Sequence, residues 1–319
     1  MDDSAIVRDD AFAITRASVR GLSMAFVHEG AGGVPVLLIH GWPETKRIWY
    51  RNVGALARAG FEVIAPDLRG FGESDLALDG YYDLAAHSRD LYALVHDALG
   101  HQRVHAVGGD LGGAILQDLG QRFPGWIERQ IIFNAPLPYL KDEHQGLRTR
   151  PPLEAADYFV RQATDAERFL AELPTAEQRQ AYIATFYGHR FWAAPGAFGP
   201  EAVAFMTAPF ADAQKLRAGW ANYESALGTR PVSEAPLWTK NAVPTLILFG
   251  PEDHVIYPDF DRMAAAVFTE HVGPFIVRGC GHFLQWEAAH VLNQTIRYFF
   301  GSPGSRPDGD ADCTGGRHD

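Results

Sequence analysis

Asp110 stands in sequence surroundings that favour a reactive side chain. It lies in residues 104–113, VHAVGGDLGG, where an apolar run leads into an aspartate set among four glycines. The apolar run predicts a buried strand and residues 114–121 have helical character, so the glycines must form a very tight turn between them. Such a turn needs small residues because its backbone segments approach too closely for side chains. A strand–turn–helix elbow of this type presents a nucleophile, although an aspartate at this place could also simply cap the following helix.

Two later loops carry residues that could act together with this aspartate. One apolar run delivers Glu252, Asp253 and His254 into a loop, and His282 lies beside glycines after the last apolar run. The chain order is then nucleophile, acid and histidine, which is the order of the fold built around such an elbow. Each residue alone has a simpler explanation: Asp253 could be a turn residue, with Glu252 or His254 in its role, and His282 could be a solvated histidine.

Alternating strands and helices must position these groups. Residues 12–28 predict an antiparallel hairpin around Arg20 and Gly21. Apolar runs and helical spacing predict strands at 34–39, 61–65, 104–107, 131–133, 243–249 and 274–277, and helices at 49–59, 85–99 and 288–300. This alternation implies an α/β fold with a mostly parallel sheet and helices on both faces. Active sites in such sheets lie at the carboxyl ends of the strands, and each candidate residue directly follows a predicted strand.

The pattern changes over residues 139–236, which predict helices and no buried strand. We therefore expect a core formed by residues 1–138 and 237–300, with residues 139–236 as an inserted helical cap. Residues 301–319 are rich in glycine, proline and aspartate, and this composition predicts a disordered tail.

Composition restricts the classes of partner. The net charge of −11 over 319 residues argues against nucleic acid and anionic membrane surfaces. Two cysteines are too few for a disulfide framework or a cysteine-rich zinc site. The sequence contains neither an apolar run of about 20 residues nor an apolar N-terminal signal, so we expect a cytoplasmic protein. The sequence is compatible with a monomer and with a homodimer.

The sequence resembles the α/β-hydrolase superfamily and, within it, the cytosolic or soluble type of epoxide hydrolase. The resemblance runs from about residue 13 to residue 300. The aspartate elbow GGDLGG matches the family's nucleophile motif. The family's H-G-x-P motif is matched by His40, Gly41, Trp42 and Pro43.

This resemblance assigns roles to several residues. The backbone N–H groups of Trp42 and Leu111 are expected to form an oxyanion hole, and Asp253 and His282 match the charge-relay pair. Some relatives carry the acid after an earlier strand, where this chain has Asn134. An asparagine cannot act as a carboxylate, so Asp253 is expected to hold the role.

The resemblance also implies two tyrosines that the cap contributes for ring opening. Tyr158 fits the first position, early in the cap, and Tyr223 fits the second, near its C-terminal end. Either could instead be an ordinary core residue, and His189 is the alternative for the first donor. The other tyrosines of the predicted cap are Tyr139, Tyr182 and Tyr187.

The implied chemistry proceeds through an ester and needs neither a metal nor an organic cofactor. Asp110 attacks an epoxide carbon, and the tyrosines, with pKa about 10, remain protonated until they donate to the leaving oxygen. His282, oriented by Asp253, then activates water, and the oxyanion hole stabilises the tetrahedral intermediate. The expected partner is a small hydrophobic epoxide, which is converted to a vicinal diol.

Two related activities use the same aspartate ester but release a halide. Haloalkane dehalogenases carry a tryptophan after the nucleophile, where this chain has Leu111, and often an asparagine at the position of Trp42. Haloacetate dehalogenases carry arginines at the positions of Leu111 and Ala114, although residues 188–192, GHRFW, keep that alternative open. A serine hydrolase would need serine or cysteine at position 110. A non-catalytic binding protein of this fold would be expected to lack one of the catalytic residues.

Overall fold

An eight-stranded β-sheet forms the centre of the structure, a computed structural model that describes residues 7–188 and 191–301. The strands are β1 (Ile14–Val19), β2 (Leu22–Glu29), β3 (Val34–Ile39), β4 (Phe61–Pro66), β5 (Val104–Gly109), β6 (Ile127–Phe133), β7 (Thr245–Phe249) and β8 (His271–Ile276). Their order across the sheet is β1-β2-β4-β3-β5-β6-β7-β8. β2 pairs antiparallel with β1 and β4, and all other pairs are parallel. The predicted α/β-hydrolase fold is confirmed.

Helices cover the sheet and fill the connection between β6 and β7. They are α1 (Tyr50–Arg58), α2 (Leu84–Tyr92), α3 (Asp110–Arg122), α4 (Leu153–Thr164), α5 (Ala166–Ala171), α6 (Ala176–Gly188), α7 (Pro200–Thr207), α8 (Ala213–Leu227), α9 (Phe260–Val267), α10 (Leu284–Glu287) and α11 (Ala289–Phe300). Short 3-10 helices occupy Lys46–Trp49 and Ala208–Ala211, and α2 continues as a π-helical stretch, Ala93–Ala98. In the part of the chain that the structure describes, no helix is long and apolar enough to cross a membrane.

The apolar runs form the inner strands of the sheet. Every residue of β4, β5 and β7 is buried, as expected for parallel strands covered on both faces. The predicted hairpin is present, and its turn residues, Arg20 and Gly21, adopt φ values of +47° and +86°.

The starts of β6 and β8 differ from the predicted strand starts, and each difference has a physical reason. β6 begins at Ile127, four residues before the predicted start, because exposed Glu128 and Arg129 interrupt the apolar pattern there. β8 is an edge strand with half-exposed residues such as Phe275, and it extends back to His271 through Gly273 and Pro274, which the sequence pattern does not favour in a strand.

The described part of residues 139–236, called the helical insertion below, contains α4 to α8 and no strand. Its final long helix, α8, is capped at its start by Asp212, whose side chain accepts from the N–H groups of Gln214 and Lys215. Gly228 follows its last residue and adopts φ +74°. Residues 302–319 of the tail predicted at 301–319 lie outside the described residues, as does His189.

Candidate active site

The turn between β5 and α3 holds Asp110 in a backbone conformation that is rare for residues with a side chain. Its φ is +47°. Glycine is required around it: a Cβ on Gly112 would lie 2.2 Å from the carbonyl oxygen of Ile39, and a Cβ on Gly108 would lie 2.7 Å from the backbone of Gly112. These close contacts place the start of α3 directly against β3, so the Asp110 carboxylate stands at the carboxyl end of the sheet.

The H-G-x-P loop after β3 surrounds one oxygen of this carboxylate. The N–H of Trp42 donates to Oδ1 of Asp110 at 2.7 Å. A Cβ on Gly41 would lie only 2.5 Å from the same oxygen, so a side chain there would displace the carboxylate of Asp110. Leu111 follows Asp110 in the first turn of α3, where backbone N–H groups have no acceptor within the helix. The loop is therefore shaped around the carboxylate.

His40 supports this loop as a neutral imidazole. Its Nδ1 is 2.8 Å from the carbonyl oxygen of Gly41, and its Nε2 accepts from the N–H of Leu68 at 3.0 Å. Only the neutral form with a proton on Nδ1 can make both bonds. Burial lowers the pKa of His40 to about 4, consistent with that form.

His282 lies between Asp253 and the other oxygen of Asp110. Nδ1 of His282 lies 2.8 Å from Oδ2 of Asp253, and its Nε2 lies 3.5 Å from Oδ2 of Asp110. The second oxygen of Asp253 accepts from the N–H groups of Val255 and Ile256 at 2.9 and 3.1 Å, which fixes the carboxylate. The alternatives for the acid, Glu252 and His254, are exposed to solvent.

The side chain of Asn134, which follows the end of β6, orients Asp253. Its Nδ2 donates to Oδ2 of Asp253 at 2.9 Å, and carbonyl oxygens of Gly250 and Gly281 also lie within 3.2 Å of it. Its Oδ1 accepts from the N–H of Gly250 at 2.9 Å. The amide of Asn134 thus orients the carboxylate of Asp253, which follows β7.

The charges around His282 favour its imidazolium form. Burial lowers the pKa of His282, but the carboxylates of Asp253 and Asp110 together raise it well above the usual value. Protonated His282 is therefore the expected state while Asp110 carries its negative charge.

Tyr158 of α4 and Tyr223 of α8 lie together above the H-G-x-P loop. Their ring centroids are 5.7 Å apart, with the two rings edge to face. The Trp42 ring stacks on Tyr158 at 5.6 Å and meets Tyr223 edge-on at 5.5 Å. Burial raises the pKa of both phenols well above 10; the negative charge of Asp110 adds to the rise in each. The charge of Asp110 therefore acts on the pKa of both tyrosines.

The other tyrosines of the insertion have different contacts. Tyr182 accepts from Nε2 of Gln162 at 2.6 Å, and Tyr187 donates to the carbonyl oxygen of Pro43 at 2.6 Å. Tyr139 is 62% exposed. Tyr158 and Tyr223 thus lie against the ring of Trp42, the residue whose N–H holds Asp110.

Sequence reasoning assigned no role to buried Glu44, which follows the H-G-x-P motif. Glu44 accepts from the N–H of Gly41 at 2.6 Å and from Nε2 of Gln285 at 2.8 Å. Burial and the nearby charge of Asp110 raise the pKa of Glu44 to about 7. The position of Glu44 directly after the H-G-x-P motif was the signal that the sequence offered, because a carboxylate so close to the end of a buried strand cannot easily reach solvent.

Trp192 of the insertion was also missed. Its ring centroid lies 4.6 Å from that of His282, and it also contacts Tyr158 at 5.1 Å. The insertion has so many aromatic residues that their spacing alone does not single out this one. Within 7–188 and 191–301, the structure contains no cluster of three or more His, Cys, Asp or Glu side chains that could hold a metal ion.

Comparison with known proteins shows the family of this chain. The sequence model of the alpha/beta hydrolase fold family matches residues 34–289, and the chain belongs to this family. Among its relatives, the chain is similar to the soluble epoxide hydrolase of Corynebacterium sp. (strain C12), with 27% identity over 303 residues, covering 89% of this chain and 96% of the relative. It is also similar to the epoxide hydrolase of Caballeronia sordidicola, with 27% identity over 308 residues, covering 88% and 92%.

A solved structure shows the same fold. The epoxide hydrolase CorEH without ligand superposes on this chain with a TM-score of 0.77 at 24% sequence identity. The match covers 90% of this chain and 98% of that chain, so it includes the sheet and the helical insertion.

Proposed function

We propose that this protein is an epoxide hydrolase that converts small hydrophobic epoxides to vicinal diols through an ester on Asp110. One observation carries the proposal: the phenols of Tyr158 and Tyr223 share a site with a carboxylate whose other side faces His282 and Asp253. The names of the two relatives support the same activity. In this proposal α4 to α8 form a cap, and the hydrolase core comes from the chain before and after them.

Ring opening begins at the free oxygen of the nucleophile. Oδ1 of Asp110 is held by the N–H of Trp42, which leaves Oδ2 to attack an epoxide carbon. The new C–O bond forms as the ring C–O bond breaks, and the ring oxygen leaves as an alkoxide. Tyr158 or Tyr223 donates its proton to that oxygen, and the raised pKa of the phenols keeps both protonated until then.

Hydrolysis of the ester follows from the change in charge. Once Asp110 is esterified its negative charge is gone, so one of the two carboxylates that raise the pKa of His282 no longer acts. The pKa of His282 falls, and the imidazolium gives up a proton that restores, through solvent, the phenol that donated in ring opening. The neutral ring then becomes a general base. Ester formation therefore prepares the base for the second step.

The base then removes a proton from water, which attacks the ester carbonyl of Asp110. The oxyanion of the tetrahedral intermediate accepts from the N–H groups of Trp42 and Leu111. Collapse expels the ester oxygen as an alkoxide, which takes the proton from His282 and completes the diol. The carboxyl group of Asp110 then gives its proton to His282, which restores the carboxylate and the imidazolium. The sum is one epoxide and one water converted to one diol.

This site can stabilise a halide leaving group less well than an alkoxide. A halide needs N–H donors near the nucleophile, but Leu111 has an aliphatic side chain, and a haloacetate needs a positive charge where this chain has Ala114. An alkoxide needs a proton, and Tyr158 and Tyr223 can supply it.

The test is trapping of the ester in the variant His282→Gln, incubated with styrene oxide and with an alkyl epoxide. We expect a mass increase equal to that of the whole epoxide, located on the peptide that contains Asp110. His290→Gln, which changes an exposed histidine of α11, is the matched control and should accumulate no adduct. A haloalkane or haloacetate that leaves an adduct without its halogen, while epoxides leave none, would replace the proposal with dehalogenation.

A further inference from the structure

Three consecutive backbone N–H groups around His282 are held by acceptors outside their own loop. The N–H of Gly281 donates to Oε2 of Glu287 at 2.7 Å, and the N–H of Phe283 donates to Oε1 at 2.9 Å. The N–H of His282 itself donates to the carbonyl oxygen of Trp192 at 2.9 Å. The carboxylate of Glu287 therefore binds the backbone on both sides of His282.

The same carboxylate also binds the helical insertion. The N–H of Ala194 donates to Oε2 of Glu287 at 3.0 Å, so this oxygen accepts from the insertion and from the histidine loop together. The two backbones are in direct contact, since a Cβ on Gly281 would lie 2.3 Å from the carbonyl oxygen of Trp192. The Trp192 ring then packs edge-on against the imidazole of His282.

We propose that Glu287 is a positioning residue for ester hydrolysis, which fixes His282 and links it to the helical insertion; this rests on the function proposed above. Hydrogen bonds from N–H groups to a carboxylate are short and about twice as strong as neutral ones. Three of them fix the direction from which the imidazole approaches the ester. Displacement of a reacting group by about 1 Å can cost about a hundredfold in rate, so this support matters for the step in which His282 acts.

The contacts of Glu287 confine its proposed role to ester hydrolysis, the second step. Ring opening uses Asp110, Tyr158 and Tyr223, and none of these side chains is bonded to Glu287. Hydrolysis uses His282, and the N–H groups of the residues on either side of it, Gly281 and Phe283, both donate to Glu287. Loss of the Glu287 carboxylate should thus slow hydrolysis and spare ring opening.

Glu287 also contributes charge to the surroundings of His282. The acidic groups that face the imidazole are Asp253 after β7, Asp110 at the start of α3, Glu44 in the H-G-x-P loop and Glu287 in α10. Burial raises the pKa of Glu287, while its three N–H donors and His282 oppose that rise. By reciprocity, an ionised Glu287 stabilises the imidazolium form of His282.

The test compares Glu287→Gln and Glu287→Asp with Glu270→Gln, a change at an exposed glutamate next to β8. The first readout needs no substrate: the pKa of His282 is measured by NMR titration of the imidazole in the resting protein. We expect Glu287→Gln to lower it by about one unit, because a nearby negative charge is lost. Glu287→Asp keeps the charge and should leave the pKa near that of the wild type.

The second readout separates the two chemical steps. Trp42 and Trp192 both line the site, so single-turnover tryptophan fluorescence with styrene oxide should report ester formation and decay. In Glu287→Gln and in Glu287→Asp, whose shorter side chain cannot reach all three donors, we expect hydrolysis to slow about tenfold and ring opening to change by less than about twofold. Glu270→Gln should match the wild type in both steps.

An unchanged pKa of His282 together with unchanged hydrolysis in Glu287→Gln would overturn the proposal, and so would equal slowing of both steps. Failure of the proposed function has a different signature, since no epoxide would then form an ester with the His282→Gln variant. The NMR titration would still decide whether Glu287 positions and charges His282 in that case.

Discussion

The substitution Asp110→Asn tests whether the nucleophile controls the protonation of His282. Asparagine is nearly isosteric with aspartate and, like the ester, carries no charge. Without the carboxylate, the imidazolium loses a stabilising partner, so the pKa of His282 should fall. The variant cannot form the ester, so the titration can be followed without turnover.

The size of the fall can be estimated from the distance of 3.5 Å between Nε2 of His282 and Oδ2 of Asp110. With an effective dielectric constant of about 20, a full unit charge at this distance contributes about 5 kcal/mol, which corresponds to between 3 and 4 pKa units. The carboxylate shares its charge between two oxygens, and Oδ1 points to Trp42, so we expect a fall of about 2 units.

The assay is NMR titration of His282 in the wild type, in Asp110→Asn and in the control Asp142→Asn, which removes an exposed carboxylate. Glu44 titrates near pH 7 and would blur the curve, so the double variant Asp110→Asn, Glu44→Gln isolates the histidine. A pKa of His282 in Asp110→Asn that lies within about half a unit of the wild type would refute the idea that esterification switches the base on.

Two further predictions separate the steps. Tyr223→Phe should slow ring opening by about a hundredfold and leave ester hydrolysis unchanged in single-turnover kinetics, whereas Tyr182→Phe, which loses only a contact to Gln162, should change ring opening by less than about twofold. Asp253→Ala should slow ester hydrolysis by about a thousandfold, and Asn134→Ala by less than about tenfold because it removes an orienting amide and not the charge; the reverse ranking would refute Asp253 as the charge-relay acid.

The local patterns of the sequence predicted the framework of the site well. β5 and the turn to α3 follow from an apolar run and four glycines, and the close contacts of Gly108 and Gly112 show why those residues are small. The pairing of Asp253 with His282 also followed from position, because both come directly after parallel strands that end at one edge of the sheet.

The supporting residues could not be predicted because their partners come from distant segments. Glu287 reads in the sequence as an ordinary polar residue of a helix, yet its oxygens bind N–H groups from two other loops. Five tyrosines lie in the insertion, and helical spacing cannot tell which reach Asp110, because that depends on how α4 and α8 pack against the core. Long-range packing decides such roles, and local pattern does not contain it.

The contacts of Trp192 and Ala194 also bear on how this protein can be recombined with its relatives. The insertion is joined to the core by its two covalent ends and also at its middle, where its backbone is bonded to the histidine loop. The carbonyl oxygen of Phe191 accepts from the N–H of His254 as well, so the loop of the acid is joined to the same segment. A chimera that exchanges the whole insertion would replace part of the support of His282 together with the aromatic residues that lie against Trp42. Altering substrate preference by domain exchange therefore calls for retaining residues 191–194 with the host core.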